Sequence, residues 1–193
     1  MKRTYFIISC LVLTIACADT QSDVMTGELV PSHFEQQSLP GSEVSYVYSD
    51  SDGKLLIEGN ELNGMRHGTW LTYSDKGAIS ELITYHKGVK EGVAISFDDK
   101  GNITKKSIYH DDKLYGNFTS YKNNKVIESK YYTDGELNGL ARKYYDSGVL
   151  LEESNYVNGQ LDGISKWYDQ EGNLSIAYEY ENGQLVNKNA AVD

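Results

Sequence analysis

Histidine and carboxylate are the residues that could do chemistry in this chain. His86 and His110 stand 24 residues apart, each directly after a tyrosine, Tyr85 or Tyr109. Side by side they would offer two imidazoles to a metal ion, with Asp111 and Asp112 the only nearby acids. A zinc centre needs a fuller ligand set than that, so the pair reads as solvated turn residues. Paired carboxylates occur at Glu152-Glu153 and Asp98-Asp99. Glycosidic hydrolysis needs two carboxyls at a set separation, one of them shifted by its surroundings. Adjacent acids on strands and turns of an open sheet have no pocket to shift them. Cys10 and Cys17 are the two cysteines, and both lie within the first 17 residues. The remainder therefore holds neither a disulfide framework nor a cysteine zinc site. The Gly-x-x-x-Gly segments lack the Lys-Ser/Thr ending of a phosphate loop. The expectation is a protein that is not an enzyme, with no cofactor and no metal.

What positions these residues follows from composition. The chain has 193 residues, enough for one domain and a tether. A net charge of −10 argues against nucleic acid and anionic lipid as direct partners. The 16 tyrosines and 18 glycines, against two prolines, indicate many short strands joined by tight turns.

The first residues are an address. Lys2 and Arg3 precede an uncharged run over 4 to 16, too short to span a bilayer and suited to a signal-peptide core. The run ends Leu13-Thr14-Ile15-Ala16-Cys17, which resembles a bacterial lipobox, although Thr14 stands where leucine is usual. That resemblance implies a lipoprotein signal peptide over 1–16, cleavage before Cys17, and lipid attachment at Cys17. Ala18 after the cysteine implies the outer membrane of the cell envelope. Residues 17–45 hold Pro31 and Pro40 among Ser, Thr, Gln and Asp, with no period. They read as a disordered tether in which His33 and Phe34 are spacers.

Residues 46–193 are one unit repeated. Gly-x-x-x-Gly-type segments start at 64, 88, 112, 135, 159 and 183, a period of 23–24 residues over six copies. An aromatic follows the second glycine by five: Tyr73, Phe97, Tyr121, Tyr144 and Tyr168. A turn glycine comes four later, except in the third copy, which is a residue shorter and has Asn124. An aliphatic two residues on (Ile79, Ile103, Val126, Leu150, Leu174) is followed six later by Tyr85, Tyr109, Tyr132, Tyr156 and Tyr180. Each copy reads as a β-hairpin, and Asn63-Gly64, Asp134-Gly135 and Asn158-Gly159 are turns to the next. About eleven or twelve strands would make one elongated antiparallel ribbon about 50–60 Å long.

The even spacing puts the aliphatic and the closing tyrosine on one face. The ten aromatics at the two tyrosine positions are then the expected core. Glu81, Lys105, Glu128 and Glu152 form a charged column assigned to the other face, an assignment that a bulge would upset. Column residues His67, Glu91, Tyr115, Asn138 and Asp162 read as surface. Trp70, Phe118 and Trp167 fall off the Tyr73 column in parity, so they are the expected partner contacts. Edge strands at 48–60 or 180–190 could add a partner strand.

Six copies in register resemble the MORN repeat, in the bacterial variant of YwqK type that carries an antitoxin label. The resemblance implies an all-β sheet of tandem hairpins serving as a scaffold. The expected function is a membrane-anchored scaffold for protein–protein interaction at the cell envelope. The alternatives are a toxin-neutralising partner and a glycan-binding module.

Overall fold

The structure is a computed structural model that describes residues 33–38, 43–49 and 52–188. The expected signal peptide, Cys17 and much of the expected tether lie outside the described residues. The strands are β1 (His33–Ser38), β2 (Glu43–Ser49), β3 (Leu55–Leu62), β4 (Met65–Tyr73), β5 (Ile79–His86) and β6 (Val89–Phe97). There follow β7 (Ile103–His110), β8 (Lys113–Leu114), β9 (Gly116–Lys122), β10 (Lys125–Thr133), β11 (Glu136–Leu137) and β12 (Gly139–Tyr144). The last are β13 (Leu150–Val157), β14 (Gln160–Leu161), β15 (Gly163–Tyr168), β16 (Leu174–Glu181) and β17 (Gln184–Lys188). β8, β11 and β14 are two-residue pieces that run on through Tyr115, Asn138 and Asp162 into β9, β12 and β15. The amides of those three linking residues still donate back to the preceding long strand.

The chain meanders, each long strand pairing antiparallel with its neighbours in sequence, as one sheet of 17 strands. The expected tandem hairpins are there. Asn63 and Gly64 both have positive φ, 54° and 75°, the geometry of the tight turn that their types favour. The longer loops close when the Gly77 amide donates to the Ser74 carbonyl at 2.8 Å. In the third copy the longer loop is replaced by the two-residue turn Asn123-Asn124, both at positive φ. That accounts for its missing residue.

The sheet starts earlier than composition indicates. β1 lies inside the stretch read as tether and pairs with β2 from His33 opposite Ser49 to Ser38 opposite Val44. His33 and Phe34 are its first residues rather than spacers. An edge strand of a one-layer sheet needs no apolar period, so composition gives no sign of it. Among the described residues the two edges are β1 and β17, and the 48–60 region is interior.

One irregularity recurs. Thr72 pairs with Glu81 but Tyr73 pairs with Ile79, so Ser80 is an extra residue, a bulge. The same slip leaves Thr104, Ile127, Leu151 and Ser175 extra in the following copies. Directly paired residues share a face. Each bulge therefore moves the aliphatic onto the face of the Tyr73-type aromatic and leaves the closing tyrosine on the opposite one. This corrects the shared-face expectation. It also puts Glu81, Lys105, Glu128 and Glu152 on the face of Tyr85, with the closing tyrosines.

On the Tyr85 face the second glycine of each copy lies opposite the closing tyrosine: Gly68–Tyr85, Gly92–Tyr109, Gly116–Tyr132, Gly139–Tyr156 and Gly163–Tyr180. A residue without a side chain leaves room for the neighbouring ring to lie across the backbone. The core is thin because the sheet has one layer. Among the described residues Trp70, Tyr85, Ala94 and Ala177 are the buried apolar ones, and Ser107, Ser154 and Ser165 are buried as well. Of the ten expected core aromatics only Tyr85 is fully buried; the other nine are half-buried.

Candidate functional site

Trp70, expected at a partner contact, is buried within the sheet. It is 4% exposed and lies so close over Gly59 that a Cβ there would meet the indole at 2.3 Å. Its Nε1 donates to the Asn60 carbonyl at 3.0 Å, and the Arg66 guanidinium stacks 4.5 Å above the ring. The same guanidinium donates to the Tyr85 hydroxyl at 3.2 Å. Trp70, Phe118 and Trp167 do share a face, that of Tyr85. Phe118 packs edge-on against Tyr132 and Trp167 against Tyr178, and both are half-buried.

The expected pairing of His86 with His110 is not formed. His86 lies 5.3 Å from His67 between ring centroids, while His110 turns to Glu91 at 2.9 Å. The hydrogen bond to His110 holds the Glu91 carboxyl below its usual range, and Glu91 in turn raises His110. No group of three metal-ligating side chains gathers among the described residues. Asp98 and Asp169 are held low mainly by hydrogen bonds from Asn102 and Asn173, which serve loop geometry. Glu152 and Glu153 point to opposite faces, to Lys143 at 2.9 Å and Arg142 at 2.7 Å.

The opposite face carries the open apolar surface. Along one rim run the cross-strand pairs Tyr73–Ile79, Phe97–Ile103, Tyr121–Val126, Tyr144–Leu150 and Tyr168–Leu174. Ile79 and Ile103 are each 38% exposed and Leu174 is 41% exposed. Tyr131 and Leu140, at 40% and 38% exposed, lie on the same face, set apart from the rim by a polar row that includes Ser129 and the Arg142–Glu153 pair. Sequence reading passed over Tyr131 and Leu140; the signal was the Tyr131-Tyr132 doublet, which must send one ring to each face. The rim is tied down at one end from the same face. Tyr73 donates to Glu58 at 2.5 Å, and burial, then this bond, push its phenol up to about 12.

The rim loops are tied copy to copy. Lys76 pairs with Asp99, and Lys122 pairs with Asp146 at 2.6 Å. Beside the shortened third loop a shallow groove opens, lined by Thr119, Tyr121, Lys125, Val126, Ser129 and Tyr144, with Ser147 and Gly148 at its lip. The Lys125 ammonium donates to the Asp146 and Ser147 carbonyls at 3.3 and 3.2 Å.

Two stretches, residues 137–158 and 161–182, match the MORN repeat variant. Those two copies are MORN-type repeats. Each matched stretch begins at the leucine that pairs with a closing tyrosine, Leu137 with Tyr132 and Leu161 with Tyr156. The earlier MORN-like copies repeat that geometry. No curated protein matches the chain. Among solved structures, a mutant of S. aureus TarM in complex with Fondaparinux, alpha-GlcNAc-glycerol and UDP is similar at 17% identity and TM-score 0.34, over 51% of this chain and 20% of that one. A crystal structure of TarM is similar at 15% identity and TM-score 0.35, over 57% of this chain and 21% of that one. The chain thus spans about a fifth of the length of either structure.

Proposed function

We propose that this is a non-enzymatic repeat scaffold, anchored to the bacterial outer membrane by lipid on Cys17, that docks a protein partner on its Tyr73 face. The observation that carries the reading is the uncovered rim, where isoleucine and leucine at Ile79, Ile103 and Leu174 stand more than a third exposed. Apolar groups repeated along one face of a sheet mark a contact surface. The membrane is an anchor point only, because an acidic body is repelled by anionic headgroups.

Photo-crosslinking in the native envelope tests the docking. A photoreactive residue at Ile103 should capture one defined protein, whereas one at Lys105, on the opposite face, should not. Equal capture from both positions defeats the reading. The antitoxin role implied by the YwqK resemblance would appear as a toxin held at one-to-one stoichiometry on that same face. For the anchor, cells fed a clickable palmitate analogue should label the protein, and Cys17→Ser should abolish the label. Undiminished labelling of that variant rejects lipidation at Cys17.

A further inference from the structure

We infer that the groove between Tyr121 and Tyr144 is a carbohydrate subsite, suited to an extended β-1,4-linked glycan strand that bears carboxylates. The inference rests on the Tyr73 face being open, and goes beyond protein docking by assigning one groove of that face to a sugar.

Three observations converge on it. The first is spacing. Tyr121 and Tyr144 occupy the same column on β9 and β12, with Val126 of β10 between them. Two strand steps separate the strands that carry the rings by about 9.6 Å. An extended β-1,4-linked chain turns the same sugar face to a wall once per disaccharide, at a closely similar distance. An extended peptide repeats at about 6.8 Å for two residues, which fits the two rings poorly.

The second is chemistry. The lining holds apolar Val126, the two tyrosines, and hydroxyls at Thr119, Ser129 and Ser147, beside Lys125 and Gly148. Apolar faces for C–H groups beside a few placed polar groups are what a sugar ring requires.

The third is charge. In a chain of net charge −10 the lining contains no carboxylate and one ammonium, that of Lys125. Lys106 is exposed on the same face, directly cross-strand from Thr119. Nearby Asp146 is already paired with Lys122. The groove is thus locally cationic, and complements an acidic sugar. The groove lies beside the shortened copy, where the Asn123-Asn124 turn replaces the longer loop.

Calorimetric titration of the full-length protein with tetramannuronate, an acidic β-1,4-linked oligosaccharide, tests this against neutral chitotetraose and against hexaglutamate. Tetramannuronate should bind, hexaglutamate should not. Tyr144→Leu and Tyr121→Leu keep an apolar group and the fold, checked by circular dichroism. Each should weaken binding about tenfold, the worth of one lost aromatic platform. Lys125→Met should weaken tetramannuronate several-fold and leave chitotetraose within about twofold. Absence of heat with tetramannuronate at millimolar concentration overturns the inference, as does binding that ignores both tyrosine variants. Equal binding of hexaglutamate would make the groove an acidic-peptide site and equally sink it. Crosslinking at Ile103 is independent of these outcomes, so failure here leaves the docking reading to its own test.

Discussion

Gly59 and Trp70 form one packing unit. Gly59→Ala would place a methyl within the van der Waals envelope of the indole, and the ring cannot retreat because Arg66 covers it. Overpacking of this kind costs about 1–3 kcal/mol, to be read from urea unfolding. Trp70→Ala should cost about 3–5 kcal/mol, as other buried aromatics do. Tyr73 offers a pH test. Its phenol ionises near 12 in the sheet against 10.0 in its ordinary state. The folded value is the raised one, so the stability this group contributes is whole below pH 10 and is lost as pH rises toward 12. Ultraviolet titration should find one late-ionising tyrosine, and Glu58→Gln should bring it earlier. At the other margin, Glu91→Gln should lower the His110 pKa, as followed by the imidazole proton resonances. An unmoved resonance would mean that the Glu91 contact is not populated in solution.

At the scale of elements, the hairpins were plain in the sequence because glycines and turn dipeptides recur at fixed steps. The face assignment was not. Ile79 and Tyr85 are six apart, and even spacing normally means one face. Ser80 breaks that parity, yet nothing about a serine there announces an extra residue. Trp70 was misplaced for a related reason. Its burial depends on Gly59, which belongs to the partial copy before it and falls outside the aligned columns. The rim groove was equally hidden, since it draws its lining from two neighbouring copies. That loop gives its own prediction. Asn124 has φ 61° in a tight turn whose second position glycine fills without steric cost. Asn124→Gly should therefore raise the urea midpoint, by a few tenths of a kcal/mol up to about 1 kcal/mol. A lowered midpoint would show that the Asn124 side chain has a role of its own.

For the molecule as a whole, each copy touches mainly the copies before and after it. Stability in such an array is close to a sum of local and neighbour terms. The two tryptophans report from distant places, Trp70 on β4 and Trp167 on β15. Single-tryptophan variants, Trp167→Phe and Trp70→Phe, should show different urea midpoints by fluorescence. Coincident midpoints would mean that the sheet unfolds as one cooperative block.

The recurring bulge sets rules for how such a gene can change. Between the aliphatic and the closing tyrosine, the strand behaves like a reading frame with a built-in slip. Removing Ser80, Thr104, Ile127, Leu151 or Ser175 would restore simple alternation and turn half a strand inside out, a frameshift written in side chains. The loops are outside that frame, and the third copy has lost its residue there while keeping its bulge. Whole hairpins can be duplicated or dropped and loops trimmed, each cut reshaping the rim locally. Variation in ligand preference among such arrays is therefore expected to accumulate in the loops, with the slipped strands held constant.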